Sequence, residues 1–78
     1  MEYPSIDHLL PQAMEIVFEY DAVAVSMLER KMKVSFYIAT IVERLEELAV
    51  VGPYNGAKQR AVLVDKQEWN KIAQNLGL

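Results

Sequence analysis

Two short β-prone runs, Val50-Val51 and Ala61-Val62-Leu63-Val64, enclose Gly52-Pro53-Tyr54-Asn55-Gly56-Ala57-Lys58, and no other stretch constrains the fold as much. Gly-Pro and Asn-Gly are strong turn signals, because proline presets its own φ and glycine accepts left-handed backbone. The segment therefore reads as a hairpin whose loop is too long for a two-residue turn.

What flanks the hairpin is helical. Leu9, Leu10, Ala13, Met14, Val17 and Phe18 recur at helical spacing, which predicts a first helix from Asp7, as N-cap, to about Tyr20, with Pro11 tolerated in the first turn where its missing N–H has no intrahelical partner. Val23-Ala24-Val25 reads as a very short strand. Ser26 with Glu29 three residues on has the form of a capping box and predicts a second helix through about Met32, with Leu28 and Met32 facing inward and a turn at 33–35. A third helix is predicted from Ser35 or Phe36 to Leu48, its buried stripe formed by Ile38, Ile41, Val42, Leu45 and Leu48 and its outer face by Tyr37, Thr40, Glu43, Arg44 and Glu47. After the hairpin, Asp65 and Glu68 form another cap-and-partner pair. Trp69, Ile72, Ala73 and Leu76 line one face of a fourth helix, over about 66–76, which Gly77 ends.

The order helix, short strand, helix, helix, hairpin, helix is that of a mainly α fold with a small β-hairpin, a winged helix-turn-helix with an additional C-terminal helix. At 78 residues, 53% of them hydrophobic, the chain is expected to form a single domain over 1–78. A chain of this size buries only about 60% of its unfolded surface, and without cysteine it has neither disulfides nor a zinc-thiolate site to compensate. Runs such as Ala22 to Val25 fall far short of the roughly 20 apolar residues that span a bilayer, and the start lacks the pattern of a signal peptide. No membrane partner and a cytoplasmic location are the expectations.

A net charge of −3 argues, taken alone, against nucleic acid. The charges are unevenly placed, however. Glu2, Asp7, Glu15, Glu19 and Asp21 stand in residues 1–25 without a single Lys or Arg, whereas Arg30, Lys31 and Lys33 outweigh Glu29 in 26–34, and Lys58 and Arg60 form a second basic cluster.

Two runs resemble a known family: Ser26-Met27-Leu28-Glu29-Arg30-Lys31-Met32-Lys33-Val34, and the continuous stretch from Leu45 through Glu46-Glu47-Leu48-Ala49-Val50-Val51-Gly52-Pro53 to Lys58-Gln59-Arg60-Ala61-Val62-Leu63-Val64. They resemble the gamma domain at the C-terminus of the bacterial DNA translocases FtsK and SpoIIIE, over about residues 7–64. The resemblance implies a winged helix that reads short, polar elements in chromosomal DNA, directs a motor lying elsewhere in the protein and, in FtsK, contacts a tyrosine recombinase. There are departures. Where the family's third helix opens with Gly-Tyr and two spaced arginines, this chain has Ser35-Phe36-Tyr37-Ile38-Ala39-Thr40-Ile41, and Gln59 replaces a wing proline. Tyr37 and Thr40 stand near the places of the missing arginines, and neither makes the bidentate contact to guanine, worth about 1–3 kcal/mol of discrimination.

On the third helix, which would approach the major groove, Tyr37, Thr40 and Arg44 are candidates for DNA contact; Lys58 and Arg60 match the family's wing positions and are candidates to hold phosphate, and Arg30, Lys31 and Lys33 are candidates to add backbone contacts from the second helix. Contacts of this kind position a domain on double-stranded DNA rather than specify bases. The plainer alternative is that both basic clusters are solvated surface. Phe36, Tyr37 and Trp69 are candidates for a protein interface, with a recombinase, a translocase motor or a second copy of the chain, against the alternative that Phe36 and Trp69 are core. Met14, Met27 and Met32 read as core filler. His8 has no Cys or second His beside it, so no metal site is expected. No nucleophile and base pairing, phosphate-cradling loop or cofactor motif stands out, and neither enzymatic activity nor a cofactor is expected. The two functional expectations are a DNA-binding module with altered or weakened sequence specificity, and a winged helix turned to protein interaction that has lost DNA reading.

Overall fold

The computed structural model describes residues 6–32, 37–54, 56 and 59–78. A 3-10 turn over Asp7–Leu9 leads into α1, Leu10–Tyr20, followed by α2, Val25–Met32, α3, Ile38–Glu47, and α4, Lys66–Asn75.

Helix α1 ends at the expected residue, and Pro11 lies in its first turn. Its start differs from expectation. Asp7 is not an N-cap; it sits inside the 3-10 turn, and its carboxylate is engaged by an arginine on α3. At the other end Asp21 adopts left-handed backbone, with φ of 52°, a conformation that aspartate tolerates better than most residues.

The short strand at 23–25 reduces to one antiparallel bridge, Val23 to Arg60, because Val25 already belongs to α2. The Ala24 carbonyl accepts the Leu28 N–H at 3.1 Å. Helix α2 thus begins a residue ahead of Ser26, which lies exposed in its first turn instead of capping it. Leu28 and Met32 are buried as the spacing requires.

Helix α3 buries Ile38, Ile41, Val42 and Leu45 of the predicted stripe, while Leu48, its C-cap one residue past the helix, is half-buried against the core; α3 packs on both α1 and α2, which also pack on each other. Ser35 and Phe36, the expected start, lie outside the described residues, as do Lys33, Asn55, Ala57 and Lys58.

The two β-prone runs meet antiparallel. Val51 pairs with Val62, the Gly52 N–H donates to the Ala61 carbonyl and the Leu63 N–H to the Val50 carbonyl, both at 2.9 Å. One residue earlier, the Arg60 N–H turns the other way and donates to the Val23 carbonyl at 2.7 Å. Residues 60–63 therefore lie between Val23 and 50–52, through isolated bridges rather than a continuous ladder among the described residues.

Helix α4 opens on the predicted capping box: the Glu68 N–H donates to Asp65 Oδ1 at 2.8 Å and the Asp65 N–H to Glu68 Oε1 at 3.2 Å. Trp69 is only 6% exposed and joins the core formed by Leu10, Met14 and Val17 of α1, Leu28, the α3 stripe, Val50 and Val51. Ile72, Ala73 and Leu76 pack beside it. Met14 and Met32 are buried and Met27 packs against the core, as filler would.

Candidate nucleic-acid interface

Arg30 and Lys31 occupy the last turn of α2, both exposed. The carbonyl end of a helix carries partial negative charge, so cations are favoured there without any ligand. The Lys31 ammonium lies 5.3 Å from the centroid of the Tyr20 ring. Hydrogen bonding to the Tyr20 hydroxyl, with Glu19 nearby, holds Lys31 above the ordinary lysine pKa.

Along α3, Tyr37, Thr40 and Arg44 are spaced by three and four residues, which sets them on one helical face. Tyr37, at the N-terminal boundary, is 53% exposed, and Thr40 is exposed too. Arg44 is half-buried. Its guanidinium grips Asp7 with two parallel bonds, Nε to Oδ1 at 3.0 Å and Nη2 to Oδ2 at 3.2 Å, while Nη1 reaches Glu47 Oε2 at 3.2 Å. The bond to Asp7 is the main influence raising the Arg44 pKa, so the side chain stays cationic with its charge answered within the chain. Glu43 is exposed on the same helix, which leaves the C-terminal half of its outer face acidic.

Arg60 is also occupied. Its side chain is 18% exposed, with Nη1 at 3.5 Å from Glu46 Oε2 and Cζ at 5.9 Å from the centroid of the Tyr54 ring. Nη1 is buried and has no hydrogen bond of good geometry. Arg60 and Tyr54 border a shallow pocket of about 460 Å³ with Val23, Ser26 and Val42, in which they are the only ionisable lining residues among those described.

Of the candidates named from sequence, then, Arg30, Lys31, Tyr37 and Thr40 are presented to solvent, whereas Arg44 and Arg60 are turned to carboxylates of the same chain. Trp69 is a core residue and offers no exposed interface. Lys33, Phe36 and Lys58 lie outside the described residues. Sequence reasoning missed Asp7 and Glu46 as partners, along with Tyr54 and Tyr20; the Asp7 to Arg44 contact spans 37 positions, and no local pattern encodes it. Among the described residues no three His, Cys, Asp or Glu side chains converge as metal ligands, and no helix is long and apolar enough to cross a membrane.

These features define a small helical fold with a short antiparallel contact between residues 50–52 and 60–63 ahead of its last helix, and a polar face built on the second and third helices. The FtsK gamma domain model matches residues 5–65, and the chain belongs to that family. It is 34% identical over 68 residues to the DNA translocase SpoIIIE of Bacillus subtilis (strain 168), covering 86% of this chain and 9% of that protein. It is 41% identical over 64 residues to the DNA translocase FtsK of Bacillus cereus, covering 80% and 8%, and 38% identical over 65 residues to the DNA translocase FtsK of Chlamydia muridarum, covering 82% and 8%. The chain thus spans about a tenth or less of each of these relatives. No solved structure matches it significantly.

Proposed function

We propose that this chain is a winged helix-turn-helix module, one domain over 1–78, that binds double-stranded DNA. The observation that carries the reading is the exposed Arg30 and Lys31 pair at the end of α2, just ahead of an α3 whose first turns present Tyr37 and Thr40, in a member of the FtsK gamma domain family. In a helix-turn-helix the N-terminal residues of the second helix of the pair reach base edges while neighbouring cations hold phosphate. The antiparallel pairing of Val51 with Val62 supports a wing, and Lys58, between them in sequence, is taken as a further phosphate contact.

Sequence reading is weak in this scheme. Arg44 is occupied, and Tyr37 and Thr40 lack the fork that recognises guanine. Binding is chiefly electrostatic, so affinity falls with salt by about 0.9 in log K per log salt for each phosphate neutralised. The domain performs no catalysis and acts in the cytoplasm; any motor it serves lies outside these residues.

The test is titration of fluorescent duplexes of varied sequence at low salt. Affinity that drops with salt, and a slope about 2–3 units shallower when Arg30, Lys31 and Lys58 are all changed to Ala, is the expected result. No binding to any duplex would remove the reading. One observation favours a second: with Arg44 and Arg60 internally paired and Tyr37 widely exposed, the α3 face suits a protein partner, namely a recombinase, a translocase motor or a second copy of the chain. In that case Tyr37→Ala abolishes capture or dissociates the dimer, and duplex affinity is negligible.

A further inference from the structure

Arginine presents its Nε and Nη2 hydrogens as a planar fork that fits a carboxylate and a phosphate equally well. On Arg44 both prongs are filled by Asp7, at 3.0 and 3.2 Å, and the third nitrogen is taken by Glu47. Arg44 is the cation that shares the α3 face with Tyr37 and Thr40, and Asp7 belongs to the 3-10 turn that precedes α1, 37 positions earlier. The carboxylate therefore stands where a phosphate oxygen pair would bind the same fork.

We infer that Asp7 is an intramolecular competitor for Arg44: while the N-terminal turn is docked, its carboxylate withholds Arg44 from the DNA backbone, and withdrawal of that turn adds one phosphate contact from α3. This inference rests on the DNA-binding reading above. It follows from elementary exchange of ligands on one guanidinium, since the Asp7 contact and a phosphate contact use the same two N–H groups. The pair is partly exposed, with side-chain exposures of 30% for Arg44 and 22% for Asp7, so the contact is shielded from water yet close enough to the surface to be exchanged. Glu47 shares the guanidinium from the next turn but holds it through a single nitrogen, and at 67% exposure it is the weaker holder. The turn that carries Asp7 thereby sets whether Arg44 is available on the α3 face.

The experiment compares the unaltered chain, Asp7→Asn, Arg44→Gln and the double variant, each checked for folding by circular dichroism, in duplex titrations across a salt series. Asp7→Asn keeps the side-chain shape and removes its charge. The expected result is about a three- to tenfold rise in affinity at low salt for Asp7→Asn, with the salt slope steeper by about 0.9, the mark of one added phosphate contact. Arg44→Gln removes the fork that Asp7 fills, so Asp7→Asn made on the Arg44→Gln background gives neither the gain in affinity nor the steeper slope. A folded Asp7→Asn protein with the original affinity and slope overturns the inference while leaving the DNA reading intact. So does a gain that survives in the double variant, which would come from lowered negative charge alone. If neither the unaltered chain nor Asp7→Asn binds duplex at low salt, the DNA reading itself falls and the inference with it.

Discussion

The guanidinium of Arg60 lies 3.5 Å from the carboxylate of Glu46, reaching from the 60–63 segment to α3 across the ring of Tyr54. The contact is asymmetric in burial, with 18% of the Arg60 side chain exposed against 38% of Glu46, and the arginine nitrogen nearest the acid is sealed from water without a well-formed hydrogen bond. Arg60 is thus a structural side chain in this state, with its stem covered and its charge answered by a neighbour.

That asymmetry predicts unequal costs for breaking the pair. Removing the acid leaves a buried guanidinium nitrogen without its counter-charge, whereas replacing the arginine with an unbranched apolar chain keeps the packing and removes the orphan. Glu46→Gln is expected to destabilise by about 1 kcal/mol, and Arg60→Met by less than about 0.5 kcal/mol. Urea denaturation with unchanged slope measures both. A larger loss for Arg60→Met shows that the pair is net stabilising.

Lys31 and Tyr20 give a prediction with a definite sign in pH. The folded protein holds Lys31 above its ordinary 10.5, first through the Tyr20 hydrogen bond. A group whose folded pKa is raised contributes stability that is complete below the unfolded value and is lost as pH rises through the folded one. Neutral and mildly alkaline solutions therefore leave the contact untouched, and its loss begins only above about 10.5. In Tyr20→Phe the Lys31 titration, followed by NMR at its side-chain methylene, moves back down toward the ordinary value. An unmoved titration would assign the shift to Glu19 instead.

Local rules account for the parts of this fold that were legible in the sequence. The α3 stripe, the Asp65 and Glu68 capping box, the end of α1 and the glycine after α4 each depend on residues within a turn or two of one another. Ser26 and Asp7 show where local rules stop. Both have the chemistry of an N-cap, but Ala24 starts α2 with its carbonyl and Asp7 finds a guanidinium 37 positions away, a stronger partner than a backbone N–H. The candidate site suffered more than the fold for the same reason. Glu47, three residues beyond Arg44 on the same helix, is a local partner, but the two-bond contact with Asp7 and the pairing of Arg60 with Glu46 join separate segments, and only the packing of α3 against its neighbours discloses them.

Helix α4 lies beyond the segment matched by the family model, which ends at residue 65, yet it supplies the largest aromatic in the core. Trp69→Ala is expected to cost about 3–5 kcal/mol, a large share of the roughly 5–15 kcal/mol that holds a small domain folded. Trp69→Phe keeps most of the packing and costs about 1–2 kcal/mol. The chain has one tryptophan, so the red shift of its emission on unfolding should coincide with the loss of helical circular dichroism. Emission that shifts at lower urea than the helical signal would show that α4 detaches before the rest of the core unfolds.

Helices α3 and α4 end in the same way with different residues, and the difference is testable. After α4, the Gly77 N–H donates to the Gln74 carbonyl at 3.0 Å and the Leu78 N–H to the Ala73 carbonyl at 2.9 Å, with Gly77 at φ of 79°. After α3, the Ala49 N–H donates to the Glu46 carbonyl and the Val50 N–H to the Leu45 carbonyl, both at 2.9 Å, with Ala49 at φ of 59°. Each is a Schellman closure, and in the second the apolar pair that accompanies the motif is Leu45 with Val50, both buried. A Cβ in left-handed backbone costs about 1–2 kcal/mol, against about 0.5–1 kcal/mol for the extra chain entropy of an unfolded glycine. Ala49→Gly should therefore stabilise the protein by about 0.5–1 kcal/mol, and Gly77→Ala should destabilise it by a similar amount. The measurement is the paired shift in urea midpoint, upward for the first variant and downward for the second. A drop for Ala49→Gly would mean that the alanine methyl contributes more to packing than its backbone strain removes, although the residue is exposed.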